Sequence, residues 1–164
     1  MSLAHKITPE PRAFAACADR GATVGVGSGD LLGALREMHA GDPIFVERKR
    51  DFLNLYTESD AVIATMAGQV IEYEIKVSRA DYVRDRFKLR NKIYSGEKHG
   101  DRPNRFYYAT AAGIITDADL PAWAGWYELE NGKLTLRRKA PRLHKDCHGV
   151  TVLMRLAAAM RRRT

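Results

Sequence analysis

The segment Val70–Val77 constrains the fold more than any other part of the chain. Its letters, VIEYEIKV, alternate with the two-residue period of a β-strand. One face of this strand is apolar, and the opposite face carries Glu72, Glu74 and Lys76. A central strand covered by helices is expected to be apolar on both faces. The three charges therefore have two interpretations. Either the strand lies at an edge or on a solvent-exposed face of the sheet, or its carboxylates hold a divalent cation with the lysine beside them.

The residues before this strand predict a β-hairpin, and the register of this hairpin decides whether Asp60 lies on the charged face of the strand. Asp60–Thr65 is rich in β-branched residues, and Met66–Gln69 is typical of a turn. With a three-residue loop, Asp60 pairs directly with Glu74, and their Cβ atoms lie about 5 Å apart on one face. A two-residue loop pairs Asp60 with Ile75 instead, on the other face unless a bulge intervenes. The first register brings together two carboxylates, which a nearby cation would stabilise.

The remaining sequence predicts one domain with two extensions. Residues 1–28 are poorly patterned, residues 29–143 hold the predicted elements, and residues 144–164 are basic. Besides the hairpin, we expect the helix Leu31–His39, the strand Ile44–Arg48, a charged helix from about Arg79 to Lys92 capped by Ser78, the strand Arg105–Thr110, a hairpin of Trp126–Leu129 and Lys133–Arg137 around Asn131-Gly132, and a basic amphipathic helix Val150–Arg163.

The net charge of +7 is divided unevenly along the 164 residues. Residues 1–75 hold 7 basic and 11 acidic residues, whereas residues 76–164 hold 20 basic and 9 acidic ones. A basic second half is expected either to be a solvated surface or to face a polyanion. The candidates for nucleic-acid contact are Ser78, Arg79, Arg84, Lys88 and Arg105.

The sequence also makes several other classes of protein poor candidates. No run of 18 apolar residues exists, which argues against a membrane span. The N-terminal residues 1–21 lack the apolar stretch of a secretory signal, so we expect a cytoplasmic protein. The two cysteines are too few for a disulfide framework.

Asp60 followed by Glu74-Ile75-Lys76 matches the acid…(D/E)-x-K signature of the PD-(D/E)XK nuclease superfamily. The longer block YEIKVSRADY at residues 73–82 resembles a segment of small phage and prophage nuclease-like proteins and of the MmcB-like DNA repair family. Further segments between residues 105 and 142 follow in the order seen in that group. The resemblance spans roughly residues 30–142.

The resemblance implies an α/β, restriction-endonuclease-like fold. Its α-β-β-β-α-β core would hold a mixed central sheet of about four strands flanked by helices, followed by the C-terminal hairpin and helix. The implied activity is Mg²⁺-dependent hydrolysis of DNA phosphodiester bonds in DNA repair or phage DNA processing, with Mn²⁺ as a substitute and no small-molecule cofactor. A catalytically weak or inactive DNA-binding protein and an RNA-directed nuclease are the alternatives. A homodimer is left open.

The resemblance also implies roles for individual residues. Asp60 and Glu74 would be catalytic metal ligands, and the main-chain carbonyl of Ile75 would be a further ligand. Lys76 would orient or deprotonate the attacking water and offset charge on phosphorus. Glu47 is the better candidate for an additional acidic ligand, ahead of Glu37.

Overall fold

The fold is described from a computed structural model over residues 25–42, 44–47, 59–85, 88–96 and 102–145, with the backbone alone at 44–47 and at Leu89. In chain order the elements are α1 (Ser28–Met38), β1 (Ile44–Glu47), β2 (Ala61–Ala64), β3 (Val70–Lys76), α2 (Arg79–Asp85), α3 (Leu89–Tyr94), β4 (Arg105–Ala111), a short 3₁₀ helix (Asp117–Asp119), β5 (Ala124–Glu130) and β6 (Lys133–Arg138).

The six strands form one mixed sheet in the order of the chain, from β1 to β6. Strand β4 runs parallel to both β3 and β5, and the other neighbouring strands are antiparallel. The expected α/β class with a mixed sheet flanked by helices is confirmed. The expectation of about four strands was too low, because the hairpin β5–β6 joins the same sheet alongside β4.

The loop between β2 and β3 has three residues, as the first of the two predicted registers requires. Ala61 lies opposite Tyr73 and Ala64 opposite Val70, so the same register places Asp60 opposite Glu74. The loop ends at Gly68, whose φ of +71° lies in the left-handed region that glycine adopts without strain. The turn therefore sets which face of the hairpin carries the two acids.

The predicted single helix from Arg79 to Lys92 is wrong, because the segment forms the two shorter helices α2 and α3. Lys88 has an extended backbone, with φ −68° and ψ 145°, and it precedes the first residue of α3. Ser78 caps α2 as predicted, since its hydroxyl accepts a hydrogen bond from the N–H of Asp81 at 3.2 Å. Because the helix is interrupted at Lys88, α3 begins as a separate helix at Leu89, and its residue Arg90 is buried.

Apolar side chains cover both faces of the central strands. Against α1 the core holds Leu31, Leu35, Ile63, Tyr73, Ile75, Tyr107 and Ala109. On the side of α2 and α3 it holds Tyr82, Ile93, Tyr94, Phe106, Tyr108 and Trp123. Strand β3 lies between β2 and β4, and the face that carries Glu72, Glu74 and Lys76 is buried beneath α2 and α3. The charged face of β3 is thus neither at an edge nor exposed.

The predicted two-residue hairpin turn between β5 and β6 is confirmed. Asn131 and Gly132 have φ of +50° and +76°, as a type I′ turn requires. No helix among the described residues is long and apolar enough to cross a membrane. The predicted helix Val150–Arg163 and most of the poorly patterned segment 1–28 lie outside the described residues.

Candidate functional site

Six charged side chains from β3, α2 and the start of α3 form what we call the charged cluster. Its members are Glu72, Glu74, Lys76, Asp85, Lys88 and Arg90. The two-residue period of β3 aims three of them at the helices. The other three are Asp85 at the end of α2, Lys88 directly before α3, and Arg90 in α3. Buried charges need partners of opposite sign, so the acidic members of the cluster allow the basic members to be buried, and the basic members allow the acidic ones to be buried.

Arg90 lies at the centre of the charged cluster and is 0% exposed. Its Nη1 lies 3.1 Å from Glu72 Oε1. Its Nη2 lies 2.7 Å from Glu74 Oε1 and 3.1 Å from Asp85 Oδ1. The planar guanidinium thereby links two side chains of one strand to the helix that follows it.

Lys76 and Asp85 form the next part of the cluster. Lys76 is 3% exposed, and its Nζ lies 2.8 Å from Glu74 Oε1 and 3.2 Å from Asp85 Oδ1. Asp85 Oδ2 accepts a hydrogen bond from the Tyr108 hydroxyl at 2.9 Å. Burial by itself would raise the pKa of Asp85, but Arg90 and the two lysines outweigh it and hold that pKa below its ordinary value. Asp85 is therefore ionised and fixes the position of the Lys76 ammonium.

The two oxygens of Glu74 have opposite surroundings. Oε1 contacts three cations: Lys76, Lys88 and Arg90. Oε2 is buried and has no hydrogen-bond partner. Burial raises the pKa of Glu74 in spite of Arg90, and the nearby charge of Asp60 raises it further. A buried carboxylate oxygen without a partner is costly, so Oε2 is an atom at which a further donor or a cation would be stabilised.

A cavity of about 340 Å³ brings the residues of the predicted site together. Its walls include Asp60, Glu74, Ile75, Lys76 and Lys88, with Asp81 of α2 and Ser28 and Gly29 of α1. Asp60 Oδ2 accepts a hydrogen bond from the N–H of Ile75 at 2.8 Å, which holds this carboxylate at the end of β2 against β3. The predicted residues Asp60, Glu74, Ile75 and Lys76 thus line one cavity.

The charges around this cavity do not balance. The five carboxylates of the cluster and the cavity wall are Asp60, Glu72, Glu74, Asp81 and Asp85. By formal charge they exceed by one the four cations that contact them, which are the three of the cluster and Arg84. No group of three His, Cys, Asp or Glu side chains suited to a metal occurs among the described residues. Mg²⁺, however, is commonly held by one or two carboxylates plus waters and substrate phosphate. Asp60 and Glu74, with the free Oε2, fit such an ion.

Among the described side chains, none of the wall residues of this cavity is an acid of α1, and the side chains of β1 are not described. Glu47 pairs through its backbone with Ala61, one position from Asp60, and its side chain lies outside the described residues. Its role as a metal ligand stays a prediction. Glu37, the weaker candidate, is exposed on α1.

The predicted nucleic-acid contacts have different surroundings. Arg79 is bound to Asp119 at 2.5 Å, and Arg105 donates to the carbonyl of Ala140. Arg84 is the most exposed, at 79% of its side chain, and lies 3.7 Å from Asp81. Ser78 caps α2, and Lys88 reaches into the charged cluster. Lys88 lines the cavity itself, and Ser78 and Arg84 both contact the cavity residue Asp81.

A larger cavity, of about 810 Å³, lies between α3 and the connection from β4 to β5. Four aromatic side chains contribute to its wall: Tyr82, Tyr94, Tyr108 and Trp123. Its one carboxylate, Asp119, is already paired with Arg79. This cavity is the more spacious candidate for a ligand site. The smaller cavity is the stronger candidate for a reactive site, because Asp60 and Glu74 line it and Glu74 Oε2 has no hydrogen-bond partner.

Sequence reasoning did not identify Glu72, Asp85 and Arg90 as part of the site. Glu72 could have been included, because it shares the face of Glu74 two residues earlier on β3. Arg90 has no such signal, since it is one basic residue among several in a charged segment. Its burial depends on the break between α2 and α3, which the helical periodicity did not reveal.

No protein-family model matches the chain, and no protein of curated function is detectably similar to it. The fold is similar to a solved structure of a protein of unknown function from Silicibacter pomeroyi. The TM-score is 0.57 and the identity 20%, over 81% of this chain and 85% of that one. At this level of identity the similarity shows a shared fold.

Proposed function

We propose that the protein is a metal-dependent nuclease of the PD-(D/E)XK type that hydrolyses DNA phosphodiester bonds. Asp60 and Glu74 would hold Mg²⁺, which Mn²⁺ could replace. The observation that carries the proposal is the buried Oε2 of Glu74, which has no hydrogen-bond partner and belongs to a residue that shares a cavity wall with Asp60. A divalent cation there would satisfy this oxygen and offset the excess negative charge of the site.

The residues of the cavity have distinct tasks in this proposal. When bound, the cation would polarise a phosphate oxygen and favour ionisation of a water. Lys76 would orient that water and stabilise the negative charge that develops on the phosphate. Asp85 would position Lys76, since it binds at 3.2 Å the same ammonium that Glu74 binds. The N–H of Ile75 would keep the Asp60 carboxylate turned toward β3.

A nucleic-acid substrate is supported by the charge distribution. Residues 76–164 carry eleven more basic than acidic residues, and the exposed Arg84 lies beside the cavity residue Asp81. Lys and Arg at the rim of an acidic cavity would hold the phosphate backbone while the carboxylates hold the ion. DNA is the proposed substrate through the resemblance, and RNA is the alternative that the assay below separates.

A second candidate function is DNA binding without cleavage. The observation that favours it is the saturation of Glu74 Oε1 by three cations and the engagement of Lys76 with both Glu74 and Asp85. Such a network can serve stability alone.

The test is a cleavage assay on single-stranded DNA, duplex DNA and RNA with Mg²⁺, Mn²⁺ or EDTA. We expect Asp60→Asn and Lys76→Met to lower kcat by about 10²-fold or more, because each removes a group that acts on the reacting phosphate or its water. The matched control is Asp117→Asn, which removes an exposed carboxylate far from the cavity wall. Binding of DNA, measured by fluorescence anisotropy, is expected to change less than about threefold in Lys76→Met.

Two results would reject nuclease activity at this site. One is cleavage that persists in EDTA, and the other is equal cleavage by the wild type and Lys76→Met. Binding of DNA by all variants with cleavage by none would select the second candidate function.

A further inference from the structure

Lys88 differs from the other two cations of the charged cluster in its access to solvent. Its side chain is 43% exposed, whereas Lys76 and Arg90 are buried. Its ammonium nevertheless contacts Glu74 Oε1 and lies 2.7 Å from Asp85 Oδ1. Lys88 therefore spans from the rim of the smaller cavity to the carboxylate proposed to hold the cation.

The carboxylates that Lys88 contacts have other cation partners as well. Glu74 also contacts Lys76 at 2.8 Å and Arg90 at 2.7 Å. Asp85 contacts the same two cations at 3.2 Å and 3.1 Å. Without the ammonium of Lys88 each of these carboxylates keeps a cation contact, but the three carboxylates of the cluster then face only Lys76 and Arg90, which leaves one negative charge for a bound cation to offset.

A divalent cation beside Glu74 and the ammonium of Lys88 would repel each other. Two positive charges on the dication and one on the lysine would share one carboxylate group in a partly buried site, where such repulsion is poorly screened. The lysine side chain has a flexible stem and an open path to solvent, so the ammonium can leave without rearranging the core.

We propose that Lys88 is an internal counter-ion of the cation site. Its ammonium rests on Glu74 and Asp85 while no divalent cation is bound, and it turns outward to a phosphate group of the substrate when the cation binds. This inference rests on the proposed function. Cation binding and phosphate binding then favour each other. The cation releases the Lys88 ammonium from Glu74, and a bound phosphate keeps that ammonium away from Glu74.

The test measures the affinity of the full chain for Mn²⁺ by isothermal titration calorimetry without nucleic acid. Lys88→Gln and Lys88→Met are expected to bind Mn²⁺ roughly tenfold more tightly than the wild type, because the competing charge is gone. Lys92→Gln is the matched control, since it removes the same charge from the exposed side of α3 and does not line the smaller cavity. Its affinity is expected to stay within about twofold of the wild type.

Two further measurements separate the inference from a purely structural role and from the proposed function. At saturating Mn²⁺, Lys88→Gln is expected to raise KM for an oligodeoxynucleotide severalfold and to leave kcat within about twofold, because the lost contact is to phosphate. Asp60→Asn added to Lys88→Gln should abolish the tight Mn²⁺ binding, which places the ion in this cavity.

Unchanged or weaker Mn²⁺ binding by both Lys88 variants, with a wild type that binds, would overturn the inference and leave the proposed cation site standing. Failure of the wild type and both variants to bind Mn²⁺ would overturn the inference and the proposed function together.

Discussion

Replacing Arg90 with methionine removes the guanidinium that joins Glu72, Glu74 and Asp85. Glu74 and Asp85 keep their lysine partners, as described above. Glu72 keeps hydrogen bonds from the Tyr94 hydroxyl and the side chain of Ser59, but it loses the cation that it contacts. The variant thus buries one carboxyl group without a cation and leaves the aliphatic packing nearly intact.

The magnitude follows from the ordinary pKa of Glu72, which is 4.5. Burial raises the pKa of Glu72 even beside Arg90, and loss of that cation raises it further, so Glu72 of the variant takes up a proton instead of remaining charged in the core. At pH 7 this protonation costs at most about 3.4 kcal/mol at 1.36 kcal/mol per pH unit. Breaking a buried ion pair costs about 3–5 kcal/mol by comparison. We therefore expect Arg90→Met to lower the free energy of unfolding by about 3 kcal/mol at pH 7.

The loss in free energy of unfolding caused by Arg90→Met should become smaller as the pH is lowered. In the variant the folded-state pKa of Glu72 is raised further than in the wild type, so folding of the variant binds more of a proton. Stability is then greatest below pH 4.5 and is lost as pH rises toward the folded-state pKa. At pH 5 the cost of protonation is about 0.7 kcal/mol, so the deficit relative to the wild type should shrink to about 1 kcal/mol.

The assay is urea unfolding in EDTA at pH 5 and pH 7, followed by the fluorescence of Trp123 and Trp126, each 8% exposed. Arg84→Met is the control, because that arginine is exposed and its loss should change stability by less than about 0.5 kcal/mol. A deficit in Arg90→Met no larger than in the control, or one that stays constant between the two pH values, would refute the reasoning.

Two other predictions concern stability away from the site. Arg79 holds the pKa of Asp119 below its ordinary value of 3.8, so this carboxylate stabilises the fold above pH 3.8 and less as pH falls below it. Asp119→Asn should therefore cost about 1 kcal/mol at pH 7 after allowance for solvent screening, and its difference from the wild type should vanish in acid unfolding series near pH 2. A Cβ at Gly125 would lie 2.4 Å from Tyr107 Cδ1, so Gly125→Ala should cost about 3 kcal/mol in urea unfolding. Gly33→Ala in α1 has open space and should stabilise by about 0.5–1 kcal/mol; similar effects of the two alanines would contradict the packing argument.

The candidate site was predictable in part because a hairpin is a local structure. The alternation of β3 and a turn at Met66–Gly68 limit the pairing of Asp60 to two registers, and the register with Glu74 is the one that occurs. Choosing between them required the backbone conformation at the turn. The type I′ turn at Asn131-Gly132 needed no such choice, since both residues favour positive φ.

The non-local features were missed or misjudged. The periodicity of residues 79–92 is compatible with one helix, and the break at Lys88 became visible in the fold alone. The hairpin β5–β6 was recognised, but its parallel pairing with β4 joins distant segments and made the sheet larger than expected. Neither feature has a signature within a short window of sequence.

The sequence by itself determined that Glu72, Glu74 and Lys76 share one face of a strand and that a turn brings Asp60 near them. These relations follow from the two-residue period of a strand and from the length of one loop. Only the tertiary structure decided that this face is buried, that Arg90 neutralises it, and that one oxygen of Glu74 is left without a partner. The reason is that burial and ion pairing depend on where α2 and α3 pack against the sheet, and charged residues carry no local signal of that placement.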